Sequence, residues 1–383
     1  MPTSRSQAQV AVVFGAGASV PPLVSQQDLV ANLLVAPDHA RLAAARLYVR
    51  RTFKGLRQNP AARGILRFED VVGPLEIAEA EEYWFHFGGH DAKDQDRLLT
   101  NRQVLDSLDT WVAMSLDPET LPRPTTSAGR GGVTESPTFE EFYQPRADSP
   151  LAYARFVSFL HEHALLANTV FVSMNYDILL DRVLNISGRF YPDYDLEDFV
   201  KPRRWTDERT RRAAVKLLKL HGSLNWRMCE RCHLLRDTGN VVVWPQSQCN
   251  DCGSKTARPM LIRPTLLKDF RHRVWRDVWR KAGHVLANAS DWIFIGYSLP
   301  LADVWMLRLL AQSARSGDVA FRSRTITVVN PDATVGQRFR LLFPNAHTRV
   351  QDFNSWVDAC VAEGRLLTTQ IKKGGRLPAD TPI

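Results

Sequence analysis

The chain has no apolar run long enough for a membrane-spanning helix, which needs about 18–20 residues with few or no charges. The nearest stretch, Trp292 to Leu310, is interrupted by Pro300, Asp303 and Arg308. A secretory leader is not expected either. Arg5 precedes an apolar run from Val10 to Val20, but Gly15 and Gly17 break that run and Pro21-Pro22 follow it. Cysteine is scarce, with five in 383 residues, too few for a disulfide-stapled secreted scaffold. These absences leave a cytoplasmic protein with no membrane partner as the expectation. A hydrophobic fraction of 44% and a charged fraction of 23% are those of an ordinary globular chain, long enough for a large core with inserted lobes.

Charge of one sign is in excess, and the excess is local. Residues 201–216 carry seven Lys/Arg against two acids, and residues 268–281 carry six against two, which together account for the net charge of +8. Two solvated faces are one reading of these stretches. The other is an electrostatic footprint for nucleic acid or an acidic partner.

Four of the five cysteines fall as Cys229-x2-Cys232 and Cys249-x2-Cys252, with sixteen residues between the pairs. Thiolates at this spacing close a tetrahedral Zn2+ site, and four of them leave no open position, so the expected metal is structural. Cys360 stands apart. His86 and His90 are four apart, but Gly88 and Gly89 between them argue against a helix that presents both to a metal.

The most informative stretch lies near the start. Ala11-Val12-Val13-Phe14 reads as a buried strand, and Gly15-Ala16-Gly17-Ala18-Ser19 follows it. A strand that turns on two glycines into a helix brings backbone amides and a helix N-terminus up to a pyrophosphate. The full dinucleotide fingerprint has a third glycine, where Val20 stands here. A plain tight turn is the alternative.

Beyond it, Ser25 to Leu34 suits a helix with Ser25 as cap, and residues 37–121 are mostly helical in pattern. Glu79-Ala80-Glu81-Glu82 reads as a solvated helix face, residues 117–137 as a Pro/Gly-rich loop, and Leu151 to Ala167 as another helix. Four further strands are expected: Thr169 to Ser173, Val215 to Leu220, Trp292 to Ile295 and Thr325 to Val329. A helix from about Lys268 to Asn288 precedes the third of these. The five strands stop at Gly15, at Asn175-Tyr176-Asp177, at His221-Gly222-Ser223, at Gly296-Tyr297-Ser298 and at Asn330-Pro331-Asp332. Alternating strands and helices predict a doubly wound parallel α/β sheet, in which ligands bind outside the carboxyl ends of the strands.

Taken in order, these six motifs (the glycine turn, Asn175-Tyr176-Asp177, Leu220-His221-Gly222-Ser223, the paired cysteines, Gly296-Tyr297-Ser298 and Asn330-Pro331-Asp332) resemble the sirtuin family, across residues 11 to 332. The resemblance implies a Rossmann-like sheet made of residues 1–35, 165–225 and 263–350. It adds a helical insert at 36–164, a zinc-binding lobe at 226–262 and a C-terminal tail at 351–383. The Gly-Tyr-Ser-Leu-Pro and Asn-Pro-Asp endings are closer to the bacterial sirtuin-like branch associated with antiphage defence, whose members hydrolyse NAD+. Val20-Pro21-Pro22-Leu23-Val24 stands where protein deacylases carry an Ile-Pro-Asp-Phe-Arg type stretch, and Met174-Asn175-Tyr176-Asp177 replaces their Gln-Asn-Ile-Asp.

The resemblance makes His221 the general base and Asn175 the residue that places water or ribose hydroxyls. Asp177 then orients Asn175, contacts the nicotinamide amide or caps the next helix. Ser19 and the amides of Gly15, Ala16, Gly17 and Ala18 would bind pyrophosphate. Gly296 and Ser298 would approach the phosphate or adenosine ribose, and Asn330 and Asp332 the adenosine end, although Asp332 also suits a turn after Pro331. NAD+ is the implied substrate and Zn2+ the implied structural metal. Control through a homo-oligomer or a partner protein of a defence complex would keep such a hydrolase silent. An NAD+-dependent deacylase and a non-catalytic NAD+ or ADP-ribose scaffold subunit are the competing expectations.

Overall fold

The computed structural model describes residues 10–20, 23, 26–35, 39–53, 68–80, 100–116, 152–196, 212–263, 272–300, 303–316 and 324–368. Ser25, His86, His90, Pro21, Pro22, Glu81, Glu82, the stretch 117–137 and most of the basic stretch 201–216 lie outside the described residues.

Strand β1 (Val10–Phe14) is buried at every position, as a strand covered on both faces must be. It sits fourth in a seven-stranded sheet. The other members are β2 (Thr169–Ser173), β3 (Phe190–Asp193), β4 (Ala213–Lys219), β8 (Asp291–Ile295), β9 (Thr325–Val329) and β10 (His347–Arg349). Their order is β10-β9-β8-β1-β2-β4-β3, and every pairing is parallel. The chain leaves β1 towards β2 and later returns on its other side as β8, so the strand order reverses between β1 and β8. In doubly wound sheets the ligand crevice opens at that point. The expected parallel α/β sheet is therefore present, with two strands more than the five expected.

Both extra strands are edges. β3 contains Pro192, and β10 is three polar, half-exposed residues. Edge strands tolerate proline and polar side chains that a central strand excludes, so neither segment carries the apolar run that marks the others.

Ten helices complete the described chain. In order they are α1 (Gln26–Val35), α2 (Ala43–Thr52), α3 (Phe68–Ala80), α4 (Asn101–Leu116), α5 (Ala152–Glu162), α6 (Leu179–Ile186), α7 (Arg273–Asn288), α8 (Val304–Arg315), α9 (Ala333–Leu342) and α10 (Phe353–Glu363). None is long and apolar enough to cross a membrane. Helices α1 to α4 share a core of their own, built on Leu29, Leu33, Tyr48, Val72, Leu75, Leu108 and Val112. Tyr176 and Ile178 reach into it from the end of β2.

Three expected boundaries shift. Helix α1, assigned to the sheet, belongs to the helical core, whereas α5, assigned to the insert, buries Tyr153, Phe156, Val157 and Leu160 in the core of the sheet. The expected tail begins with α10, whose Phe353, Trp356, Val357 and Cys360 are buried in that same core. These four fall at i, i+3, i+4 and i+7, the spacing of one helix face.

A second, antiparallel sheet of order β6-β5-β7 is formed by β5 (Gly222–Cys229), β6 (Leu235–Asp237) and β7 (Ala257–Leu261). Charged pairs join it to the helical lobe. Arg263 binds Asp109 through two nitrogens, at 2.9 and 2.6 Å, and Glu76 at 3.0 Å, while Arg258 pairs with Asp106 at 2.8 Å.

Candidate active site

Past their last residues the central strands continue to hydrogen-bond across the sheet. Leu220 N donates to Ser173 O, Met174 N to Phe14 O, Gly15 N to Ile295 O, Gly296 N to Val329 O and Asn330 N to Arg349 O. This ladder sets residues 221, 174–175, 15, 296 and 330 in a row along one edge, so the strand-end motifs do converge.

At the centre of the row, glycine is required on geometric grounds. A Cβ on Gly15 would lie 2.5 Å from Tyr297 Cα, and one on Gly296 would lie 2.1 Å from Ala18 N and 2.4 Å from Gly17 C. Gly296 also has φ +62, a conformation that L side chains rarely adopt. The two turns are in backbone contact across the switch point, sealed by Gly17 N donating to Gly296 O at 2.9 Å. The turn departs from the expected strand-to-helix passage. β1 runs into a 3-10 turn of four residues, Ala16–Ser19, and α1 begins only at Gln26. Three of the amides expected to cradle pyrophosphate are engaged inside the protein, since Gly15 N, Gly17 N and Ala18 N donate to Ile295 O, Gly296 O and Gly15 O.

Ser19 is buried at 3% exposure and forms the hub of a polar cluster. Its hydroxyl donates to Asp177 Oδ2 at 2.8 Å, Asn175 Nδ2 donates to it at 3.0 Å, and Tyr153 OH lies 3.1 Å away. Burial, reinforced by the Asp177 charge, pushes the Tyr153 phenol well above its usual range, so it stays protonated and donates. A hydroxyl has one proton and two lone pairs, and all three are then used. Asn175 spends its other amide hydrogen on Gly15 O at 3.0 Å, which ties the end of β2 to the glycine turn.

Asp177 both receives Ser19 and, just ahead of α6, accepts Leu179 N on Oδ1 at 3.1 Å. Its carboxyl pKa is raised, first by burial, against the lowering influence of Lys219, Leu179 N–H and Ser19. Lys219 donates to the Asp177 carbonyl and pairs with Asp181 at 3.2 Å, both side chains being 1% exposed. Tyr194 OH donates to the other Asp181 oxygen at 2.5 Å. Tyr153, Lys219 and Asp181 are the site-supporting residues that the motifs do not contain. Lys219 alone left a trace, as the one charged residue in the closing Leu217-Leu218-Lys219-Leu220 of an apolar strand.

His221 follows β4 and is buried at 8% exposure. Its Nδ1 is 3.1 Å from Met174 O. A carbonyl only accepts, so Nδ1 carries the proton in the neutral ring and Nε2 is the basic nitrogen. Two aromatic rings flank it. The Tyr176 and Trp279 rings lie 6.2 and 6.1 Å from the imidazole, and Trp279 Nε1 donates to Leu220 O at 2.9 Å. Trp275 packs so closely over Gly222 that a Cβ there would meet it at 2.8 Å. The main chain of His221 is fixed by Ile262 N, which donates to its carbonyl at 2.8 Å, and Ile262 O accepts from Tyr176 OH at 2.5 Å.

The far end of the row is plainer. Ser298 is exposed, and its carbonyl accepts from Arg338 at 2.9 Å. Asn330 Oδ1 accepts Asp332 N at 2.9 Å, and Asp332 caps α9, accepting Thr334 N at 2.8 Å. Asp332 thus does the work of a turn and cap residue, and the part of the row from His221 to Gly296 holds the densest polar chemistry.

The four paired cysteines converge away from this row. Their Sγ atoms all lie within 4.8 Å of one another, with Cys229–Cys252 at 3.6 Å and Cys232–Cys249 at 3.8 Å. Tetrahedral Zn–S bonds of about 2.3 Å require sulfurs about 3.8 Å apart, so the cage fits Zn2+ and is too wide for disulfides. Cys360 is buried in the core, where burial pushes its thiol up to about 11.

No family profile matches this chain, and no curated protein does. Solved structures it is similar to include Sir2 homologues. A Sir2 homologue–NAD complex is 16% identical, with 93% of this chain and 88% of that one covered at a TM-score of 0.43. Sir2Tm bound to a propionylated peptide is 15% identical, with 94% of each chain covered at a TM-score of 0.41. What the site can do follows from its own residues.

Proposed function

We propose that the chain hydrolyses NAD+ to nicotinamide and ADP-ribose, as the effector of an antiphage defence system that acts once triggered. The observation that carries this reading is the placement of His221, its Nδ1 3.1 Å from Met174 O, with Asn175 and the glycine turn at the carboxyl edge of the sheet. Nicotinamide departs as a neutral base: the C1′–N bond breaks and its electron pair goes to the pyridine nitrogen. The reaction therefore needs no general acid, unlike glycoside hydrolysis with its two carboxyl groups. It needs a base for the incoming water and a polar group to place that water. His221 Nε2 takes the proton as the water oxygen adds to C1′. Asn175, with both amide hydrogens committed, offers Oδ1 as the acceptor that orients the water or a ribose hydroxyl. The buried Ser19, Asp177 and Tyr153 hold Asn175 in that pose.

The bacterial sirtuin-like branch that the motifs resemble supplies the biological setting, with control exerted through oligomerisation or a partner. The test is to incubate the purified chain with NAD+, alone and with the products of neighbouring genes, and identify products by mass spectrometry. Equal amounts of nicotinamide and ADP-ribose are expected, with a loss of about 100-fold or more in His221→Ala and in Asn175→Ala, the usual range for removing a base or its positioning group. Undiminished nicotinamide release by either variant overturns the mechanism. A requirement for acyl-lysine with formation of acetyl-ADP-ribose identifies a deacylase instead, and binding without turnover identifies a scaffold.

A further inference from the structure

Helix α7 is two-sided. Val274, Trp275, Val278, Trp279, Ala282 and Leu286 are buried, and their spacing of three and four fixes which face turns inward. Because Trp275 and Trp279 are locked against the end of β4, the opposite face is forced outward. It presents Arg273, Arg276 and Arg280, all exposed. With Asp277 they line an open surface hollow of about 290 Å3. Asp277 is the acid on this face. Its carboxylate holds Arg280 at 2.7 Å and Lys281 at 3.0 Å, and Lys281 is held again by Asp195 at 3.0 Å, so the local charge remains positive.

We propose that this arginine face binds the phosphate backbone of a nucleic-acid duplex. Residues 273 and 280 are seven apart, about 10.5 Å along a helix at 1.5 Å per residue. One duplex strand carries a phosphate about every 3.4 Å of axis, so three arginines over that length match about three phosphates. The guanidinium fork suits phosphate oxygens, and Asp277 orders one of the forks in advance. Among the described residues the hollow is lined by three cations and one acid. Guanidinium contacts to phosphate read the backbone and not the sequence. This surface is separate from the residues proposed to act on NAD+, and the proposal stands whether or not that reading does.

The experiment is fluorescence anisotropy of a labelled duplex of about 20 base pairs, with the full chain, between about 50 and 200 mM salt. Binding should weaken with salt and be indifferent to sequence. The Arg273→Gln/Arg276→Gln/Arg280→Gln variant should flatten the log–log salt slope by about 2.7, at about 0.9 per phosphate contact, and Arg276→Gln alone by about 0.9. The single exposed substitution keeps the test valid should the triple variant fold poorly. An unchanged slope in Arg276→Gln, or no duplex binding by the native chain at about 50 mM salt, overturns the proposal. Competition by polyglutamate as strong as that by DNA also overturns it, in favour of an acidic protein partner.

Discussion

Replacing Gly296 with alanine tests the seam between the β1 and β8 turns. Two costs are expected. The first is conformational, because Gly296 sits at φ +62 and a side chain in the left-handed region costs about 1–2 kcal/mol. The second is steric. The new Cβ would lie 2.1 Å from Ala18 N and 2.4 Å from Gly17 C, both of them backbone. Backbone cannot rotate aside as a side-chain tip would, and overpacking a core of this kind costs about 1–3 kcal/mol. The sum, about 2–5 kcal/mol, is a large share of the roughly 5–15 kcal/mol that keeps a domain folded.

Gly188 separates the two contributions. It has nearly the same φ, +64, and a methyl group placed on it would meet nothing within 4 Å. Gly188→Ala should therefore show the conformational cost alone. Urea unfolding of both variants, followed by tryptophan fluorescence, should find Gly296→Ala less stable than Gly188→Ala by at least about 1 kcal/mol, the lower bound of the steric cost. Equal losses in the two would refute the claim that backbone contact across the switch point dictates glycine there.

Two further outcomes are expected. Cys229→Ser should lose its zinc, falling from about one ion per chain, and the segment from 226 to 262 should become sensitive to protease, because ligand loss becomes folding loss; full metal retention would contradict the four-thiolate cage. Asp177→Asn should gain stability relative to the native chain as pH rises. The folded-state pKa of Asp177 is raised by burial, so its contribution is complete below the unfolded carboxylate value near 4 and is lost as pH climbs through the raised one. The asparagine variant has no such loss, and a stability gap between the two that stays constant from about pH 4 to 7 would argue against a desolvated carboxyl.

The strand ends were legible because the central strands are short, apolar and rich in β-branched residues, and each stops at a cluster of small or polar residues. Edge strands β3 and β10 carry no such signal. Helix α10 does carry one, in the spacing of Phe353, Trp356, Val357 and Cys360, yet its position after the last motif made it read as a tail. The site was legible only in part. Asn175 and His221 follow the paired strands β2 and β4, but Ser19 looks like a ligand-facing hydroxyl in sequence. Nothing local shows that Asp177, 158 residues away, accepts its hydrogen bond, or that Tyr153 on a helix with an ordinary amphipathic pattern donates to its remaining lone pair. Tyr153 reads as core because most of it is core: its ring packs on Phe14 and Phe353 at 5.0 and 5.3 Å, and only the hydroxyl reaches the site.

The glycine turn has a different first duty from the one its composition suggests. A four-residue 3-10 turn sums few peptide dipoles, so it lends an anion little of the favourable field of a long helix. Three of its amides already have protein acceptors, and an anion bound there would have to use the remaining donors or part Gly17 N from Gly296 O. What the turn does supply is position. Gly15 lies so close to Tyr297 that a Cβ on it would meet Tyr297 Cα at 2.5 Å, and its carbonyl is one of the two acceptors gripping Asn175. The second acceptor, Ser19 Oγ, closes the same turn. Pinning Asn175 from both ends of a glycine-sealed loop fixes its amide without adding charge, which suits the proposed reaction, where positive charge would develop at C1′. The seam at the switch point is thus part of the chemistry that the site can perform, and a methyl group at Gly296 should disturb the pose of Asn175 as well as the stability of the sheet.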